Sequence, residues 1–174
     1  MSRKFLALTA LLSLALIAGL GAQTAPAPTA AAVDPAVQSQ IDAIKGVLPK
    51  FAIPMREVGD RFQNMFFAAK GGNWALAAYM SKYMNGSMNP ATLTKPAEYP
   101  MWKNFYDSTF APVNAAIQAQ DFKTFSVAYD KAMVSCTGCH AAMGYGFIKV
   151  VKQAAPSNIG IDYTVASKAT DVPK

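Results

Sequence analysis

The chain has few of the side chains that bind metal ions, and this scarcity excludes some classes of protein. Its 174 residues include two cysteines and one histidine. A closed structural zinc site needs four ligands, so these three residues cannot complete one. The lysines are spread along the chain without a dense basic run, and arginine is rare. A nucleic-acid-binding surface is therefore not expected.

A long apolar run occurs once, at the N-terminus. Arg3 and Lys4 precede an apolar stretch of 16 residues (5–20), and small residues follow at the point where cleavage would occur. This pattern predicts a secretory signal peptide over residues 1–22. The stretch is shorter than the ~20 residues of a membrane span, so a retained N-terminal anchor is the alternative interpretation. Loss of Arg3 and Lys4 with the signal would lower the net charge from +6 to +4.

The next segment, residues 23–33, is rich in Ala, Pro and Thr and carries no charge. This composition predicts a flexible tether rather than part of a folded core. The remaining length of about 140 residues is that of one domain. We divide it into a helical domain, residues 34–146, and a C-terminal tail, residues 147–174.

Both cysteines and the histidine lie in one pentapeptide. Residues 136–140 read Cys-Thr-Gly-Cys-His, the C-x-x-C-H pattern by which c-type haem is attached. Two thiols at this spacing can add across the two vinyl groups of one porphyrin, and the adjacent imidazole then falls under the iron. The pattern predicts one haem c, bound covalently by Cys136 and Cys139, with His140 as the proximal iron ligand.

Three other interpretations of the pentapeptide compete with haem attachment: a thioredoxin-like redox pair, a structural disulfide and part of a zinc site. A redox pair is expected at the start of a helix in a βαβ unit, whereas this motif ends a long helical pattern. Zinc lacks a fourth Cys or His ligand. Haem and export agree with each other, because c-type haem is normally attached outside the cytoplasmic membrane. We therefore expect a bacterial periplasm or the equivalent cell-surface space.

Apolar residues recur at helical spacing throughout the folded part. The pattern predicts a short first helix that Pro49 stops, and four longer helices that begin near Pro54, Asn73, Trp102 and Asp121, with Asn73 and Asp121 as the N-caps of their helices. Residues 85–100 are rich in Gly, Asn and Pro, which predicts a long connection. Pro112 is expected to kink or split the fourth helix. On the last helix, Cys136, Cys139 and His140 continue the apolar stripe, so the haem is expected inside the helical domain.

A C-x-x-C-H motif near the end of the last helix of an exported, all-helical domain resembles the cytochrome c′ and cytochrome c-556 family. The resemblance covers about residues 54–143 at the level of helix order. It implies an all-α fold in which an antiparallel four-helix bundle holds one covalent haem. In this chain an extended C-terminal tail would follow the bundle.

The identity of the sixth iron ligand depends on the resemblance as well. Residues 55–59 read Met-Arg-Glu-Val-Gly, and in low-spin family members a first-helix methionine in a similar Met-x-x-x-Gly context supplies this ligand. The resemblance therefore implies Met55, with Met65 in reserve, while ordinary core packing is the alternative role for Met55. Met133 and Met143 lie on the histidine's own helix and are excluded.

These residues predict a soluble one-electron carrier. Redox proteins are the expected partners, and the positive charge weakly favours acidic ones. The resemblance also implies an alternative, a five-coordinate haem that binds NO or CO, with Phe62 and Phe66 crowding the distal side or simply packing in the core. A homodimer is left open, and no stable membrane span is expected after signal cleavage.

An enzyme is not expected. Peroxide cleavage at haem generally needs a distal base and a cation, and the chain has no second histidine. Arg56 is expected to pair with a haem propionate or with Asp60.

The segment after the motif is too apolar to stand in solvent without a partner surface. Gly144 and Gly146 are expected to break the last helix. Phe147, Ile148, Val150 and Val151 would then cover the haem edge or bind another protein. Residues 164–174 are expected to be loose, as chain ends commonly are.

Overall fold

The computed structural model describes residues 33–173, and over this range the protein is all-α, as the sequence predicts. Its helices are α1 Pro35–Val47, α2 Ala52–Gly71, α3 Trp74–Gly86, α4 Ala91–Thr94, α5 Tyr99–Ala119 and α6 Phe122–Ala142, followed by a 3₁₀-helix at Ala169–Asp171. No β-strand forms within the described range; an isolated bridge joins Asn73 and Ser167.

The chain divides into two units, residues 1–34 and 35–174, and the second is described below. The predicted signal peptide (1–22) and nearly all of the predicted tether (23–33) lie outside the described residues. Within residues 33–173, no helix has both the length and the apolar character needed to cross a membrane.

Local signals set the ends of the main helices. Gly72 ends α2 in the left-handed conformation, with φ at 83°, which glycine adopts without steric cost. The side chain of Asn73 accepts a hydrogen bond from the backbone N–H of Leu76 and caps α3. The carboxylate of Asp121 accepts two backbone N–H bonds from the first turn of α6. Both predicted caps are confirmed, and such caps satisfy donors that a helix start leaves unpaired.

Pro112 does not split its helix, because α5 runs unbroken from Tyr99 to Ala119. The proline removes the N–H that would otherwise bond to the carbonyl of Ser108. Both residues are exposed, so water can reach this surface of the helix and satisfy the carbonyl. The expectation of a split helix is therefore wrong, whereas a kink at Pro112 stays a prediction.

The connection between α3 and α5 is more than a loop. It contains the single turn α4 and places two fully buried side chains, Met88 and Ala91, in the interior. Its Gly, Asn and Pro content predicts turns and does not indicate that two of its side chains belong to the core.

One apolar core lies between the long helices. Helix α2 packs on α3 and α6, and α5 packs on the same two helices. The largest fully buried side chains are Phe110, Phe125, Met65, Met84, Met88, Ile117 and Val113. Helix α1 buries no residue and contacts α4, so it lies outside this core.

The segment after α6 follows an irregular path with several turns and packs against the helices. Val150, Ile161 and Tyr163 pack against the core, whereas Phe147 and Ile159 are more than three-quarters exposed. The final residues are docked rather than loose. The hydroxyl of Ser167 donates to the side chain of Asn73 and accepts from the N–H of Ala75, and Ala169 is buried. The expectation of a loose end is therefore wrong for residues 164–173.

Candidate haem site

The three residues of the motif lie on the last turns of α6 and face a cavity. Positions i, i+3 and i+4 of a helix share one face, so Cys136, Cys139 and His140 point the same way. The cavity has a volume of about 80 Å³ and lies between α2, α5, α6 and the tail. Its lining comprises Met55, Val58, Gly59, Phe62, Trp102, Phe105, Cys136, Cys139, His140 and Val150.

Helix α2 contributes one continuous face to this cavity. Met55, Val58, Gly59 and Phe62 follow the i, i+3, i+4, i+7 spacing of a single helical stripe. A Cβ added at Gly59 would meet no heavy atom within 4 Å. The lack of a side chain at this position therefore enlarges the open space beside Met55.

The structure brings Met55 and His140 to the same cavity, although 85 positions of sequence separate them. Met55 is half-buried, and its thioether is a soft ligand suited to iron or copper. Met65, the reserve candidate, has no exposed surface and belongs to the core. It does not line the cavity, so the geometry favours Met55 over Met65.

The remaining methionines lie elsewhere. Met80, Met84 and Met88 are buried in the core, and Met133 packs against it. Met101 and Met143 are both 39% exposed. None of these six lines the cavity.

His140 makes a hydrogen bond that decides which of its ring nitrogens is free. Its Nδ1 lies 3.3 Å from the backbone carbonyl oxygen of Ile148. A carbonyl can only accept, so Nδ1 carries the proton and donates it. Nε2 is then left with a lone pair and can bind a metal ion. Metal-binding histidines commonly have their second nitrogen held in this way.

The two cysteines have the properties of sheltered thiols. Both are free and partly buried. Burial, with a further contribution from Cys139, raises the pKa of the Cys136 thiol to about 12. Burial also raises the pKa of Cys139. A redox-active pair needs a depressed thiol pKa, so this environment disfavours the thioredoxin-like interpretation, and no disulfide forms between them.

The zinc interpretation also lacks a suitable ligand group. Over the described part of the chain, no three or more His, Cys, Asp or Glu side chains are grouped as ligands for a metal ion. What the motif presents instead is two thiols and an imidazole on the wall of an apolar cavity. This donor set fits a flat, apolar group attached through sulfur, with His140 available to its metal.

The two phenylalanines considered for the distal side have different positions. Phe62 lines the cavity and stacks on Tyr129, with ring centroids 4.1 Å apart. Phe66 does not line it and instead packs near Phe125 and Tyr129. Of these two phenylalanines, only Phe62 can therefore restrict access to the open space.

Neither of the two arginines within residues 33–173 lines the cavity. Arg61 pairs with Glu57 at 3.1 Å, and its guanidinium lies 6.0 Å from the ring centroids of Tyr79 and Tyr83. Arg56 and Asp60 form no ion pair among the described residues. The Arg56–Asp60 alternative is therefore wrong, whereas pairing of Arg56 with a haem propionate stays a prediction.

Sequence reasoning missed Trp102, Phe105 and the carbonyl of Ile148 as parts of the site, whereas Val150 was among the residues expected to cover the haem edge or to bind another protein. Trp102 and Phe105 appear in the α5 apolar stripe, but their spacing alone does not distinguish the cavity wall from ordinary core. A backbone carbonyl leaves no sequence signal.

Comparisons with known proteins add nothing to these observations: no protein-family model matches the sequence, no curated protein matches it, and no solved structure matches it.

Proposed function

We propose that this protein is an exported mono-haem c-type cytochrome that carries single electrons between partner proteins. Cys136 and Cys139 would hold haem c through thioether bonds, and His140 and Met55 would be the two axial ligands. The observation that carries the proposal is the shared cavity: its wall contains the C-x-x-C-H side chains and a half-buried methionine from another helix.

In this proposal α2, α3, α5 and α6 form the four-helix bundle, with the cofactor between α2, α5 and α6. Each helix of this set packs on two others, as in an up-down bundle. Bundles of this kind build cofactor sites from side chains on facing helices. The signal peptide over residues 1–22 would direct the chain to the periplasm.

Bound haem supplies a reversible one-electron couple at its iron. The chain's residues set the conditions for that couple. The thioether of Met55 would favour the reduced state, and a methionine ligand raises the reduction potential for this reason. The apolar walls formed by Val58, Phe62 and Val150 would keep water from the iron and favour its less charged state.

Enzymatic turnover is not part of the proposal. The cavity wall contains no Lys or Arg, and its one histidine is the proposed proximal ligand. Activation of peroxide generally requires a base and a cation on the distal side. Haem proteins without these groups are suited to electron transfer or ligand binding.

Binding of NO or CO by a five-coordinate haem is the competing function. Phe62 at the cavity wall supports it, because a bulky ring there would admit only small ligands. The half-buried Met55 beside Phe62 favours electron transfer instead. The two functions differ in whether the sixth coordination position is filled.

The test is to express the full chain with its signal in a bacterium that can mature c-type cytochromes. We expect haem that stays on the protein in a denaturing gel, and loss of this haem in the Cys136→Ser, Cys139→Ser double variant. The reduced protein should be low-spin, with an absorption spectrum that CO does not change. A chain that carries no covalent haem would contradict the proposal, and CO binding to the wild type would favour the gas-binding alternative.

A further inference from the structure

We propose that the segment from Gly144 to Tyr163, here called the strap, positions His140 for the iron, with Gly144 and Thr137 as its positioning residues. This inference rests on the proposed function and adds roles for residues other than the two cysteines and the histidine of the motif. The strap is also attached to α2, the helix that carries Met55.

The strap starts with a sharp reversal at the end of α6. The N–H of Gly144 bonds to the carbonyl of Ala141 at 3.1 Å, and the N–H of Tyr145 bonds to the carbonyl of His140 at 2.7 Å. These are the two bonds of a Schellman motif. Gly144 has φ at 84°, a left-handed conformation that glycine adopts far more easily than other residues. The reversal therefore depends on Gly144.

The reversal returns the chain to the histidine ring. The N–H of Ile148 bonds to the carbonyl of Tyr145 at 2.8 Å, which closes a second turn. The carbonyl of Ile148 then lies 3.3 Å from Nδ1 of His140. The acceptor that leaves Nε2 free is thus placed by the backbone path that begins at Gly144.

A second hydrogen bond fixes the strap immediately after this acceptor. The N–H of Val150 donates to the hydroxyl of Thr137 at 3.0 Å. Thr137 lies inside the C-x-x-C-H motif and Val150 lines the cavity. The threonine hydroxyl therefore ties the strap to the motif one helical turn from His140.

Farther along, the strap is attached to the helices by buried and charged groups. The side chain of Asn64, 4% exposed, donates to the hydroxyl of Ser157 at 3.0 Å and accepts from the hydroxyl of Tyr163 at 3.0 Å. The ammonium of Lys152 pairs with Asp130 at 2.5 Å and lies 4.8 Å from the ring centroid of Phe66. These attachments hold the strap across both α2 and α6.

The strap has two separate influences on a bound haem. A hydrogen bond from Nδ1 to a carbonyl makes the imidazole a stronger donor and favours the oxidised iron, so loss of this bond raises the reduction potential. Displacement of Val150 admits water and lowers the potential. A higher reduction potential would therefore indicate loss of the Nδ1 hydrogen bond, and a lower one would indicate displacement of Val150.

The test uses full-length, haem-bearing protein with two pairs of matched variants. Gly144→Ala strains the left-handed turn, and its control is Gly146→Ala, where an added Cβ would meet Ala141 at an ordinary 3.7 Å. Thr137→Val removes the hydroxyl at almost unchanged volume. Its control is Ser135→Ala, which removes a hydroxyl that donates to the backbone carbonyl of Lys131 within α6.

Redox titration and the exchange rate of the His140 Nδ1 proton by NMR are the measurements. We expect a higher reduction potential and a proton exchange at least tenfold faster in Gly144→Ala and Thr137→Val, with both controls at wild-type values. If Gly144→Ala does not fold, Thr137→Val decides the result alone, because Thr137→Val leaves the turn at Gly144 intact.

Unchanged values in Thr137→Val, equal shifts in the controls, or a lower potential would each overturn the positioning role of the strap. A wild-type chain without covalent haem would overturn the proposed function and, with it, this role. Haem content is measured first, so the two failures are distinguishable.

Discussion

Gly71 at the end of α2 touches the backbone of Tyr163 in the strap. A Cβ placed at Gly71 would lie 2.1 Å from the carbonyl oxygen of Tyr163, a distance at which the two cannot coexist. The strap can therefore follow its path only because residue 71 has no side chain. The obstructing atom is backbone, so no rotamer change relieves the clash.

Gly71→Ala should displace the strap from α2. Overpacking of this kind typically costs 1–3 kcal/mol, and we expect the free energy of unfolding to fall by about 2 kcal/mol. Gly86→Ala is the matched control, since Gly86 also ends a helix and an added Cβ there meets nothing within 4 Å. Denaturant unfolding and limited proteolysis measure the effect. Equal stability of the two variants would contradict the close contact.

Met55→Leu should remove the proposed sixth ligand while the fold is retained. The exchange conserves side-chain volume and should cost less than about 1.5 kcal/mol. We expect the oxidised protein to lose a near-infrared methionine-to-iron band, the reduced protein to bind CO, and the reduction potential to fall. Met101→Leu, at a position outside the cavity, is the control and should behave as wild type. A band that persists in Met55→Leu would show that another residue is the ligand.

Met65→Ala should affect stability and leave the haem spectrum unchanged. Met65 is completely buried in the core and does not line the cavity. Truncation of such a side chain leaves a void and should lower the free energy of unfolding by about 2–5 kcal/mol. Thermal unfolding and the near-infrared spectrum are measured on the same sample. Loss of the band in folded Met65→Ala protein would reinstate Met65 as the ligand.

Asp121 should give the start of α6 a pH-dependent stability. Hydrogen bonds from the hydroxyl and the backbone N–H of Thr124 hold the pKa of this carboxyl below its usual value. Because the folded-state pKa is depressed, the stabilisation is present above the ordinary pKa and is lost as pH falls through the folded pKa. Asp121→Asn retains an acceptor that does not titrate. Its melting temperature should therefore fall less than that of wild type between about pH 5 and pH 2.

Asp42→Asn is the control for this pH dependence, since Asp42 lies on α1, which buries no residue. We expect its melting temperature to follow wild type across the acid range. If Asp121→Asn and wild type lose stability in parallel, the cap carboxylate does not contribute to acid sensitivity.

The features that follow from local rules could be predicted from the sequence. Asn73 and Asp121 were identifiable as caps because the bonds they accept come from residues two or three positions ahead. Placing the motif on one face of the last helix required only the helical period. Met55 was named through the resemblance to a cytochrome family, and the structure places it at the cavity while it places Met65 in the core.

The features that depend on distant parts of the chain were not predictable. The docking of residues 164–173 depends on a hydrogen bond between Ser167 and Asn73, which are 94 positions apart. Pro112 predicts a kink or a split in α5, but the helix is not split, because the cost of proline depends on whether the freed carbonyl is buried, which the sequence does not state. The carbonyl of Ile148 belongs to the backbone, so the residue type at this position does not reveal its role as an acceptor.

Closing a large loop costs more conformational entropy than forming a helix, whose bonds are local. Asn64 meets Ser157 across 93 positions, so we expect the strap to reach α2 after the helices have formed. Val150, by contrast, bonds to Thr137 across only 13 positions. We therefore expect the part of the strap that lines the cavity to join α6 before the part that crosses α2.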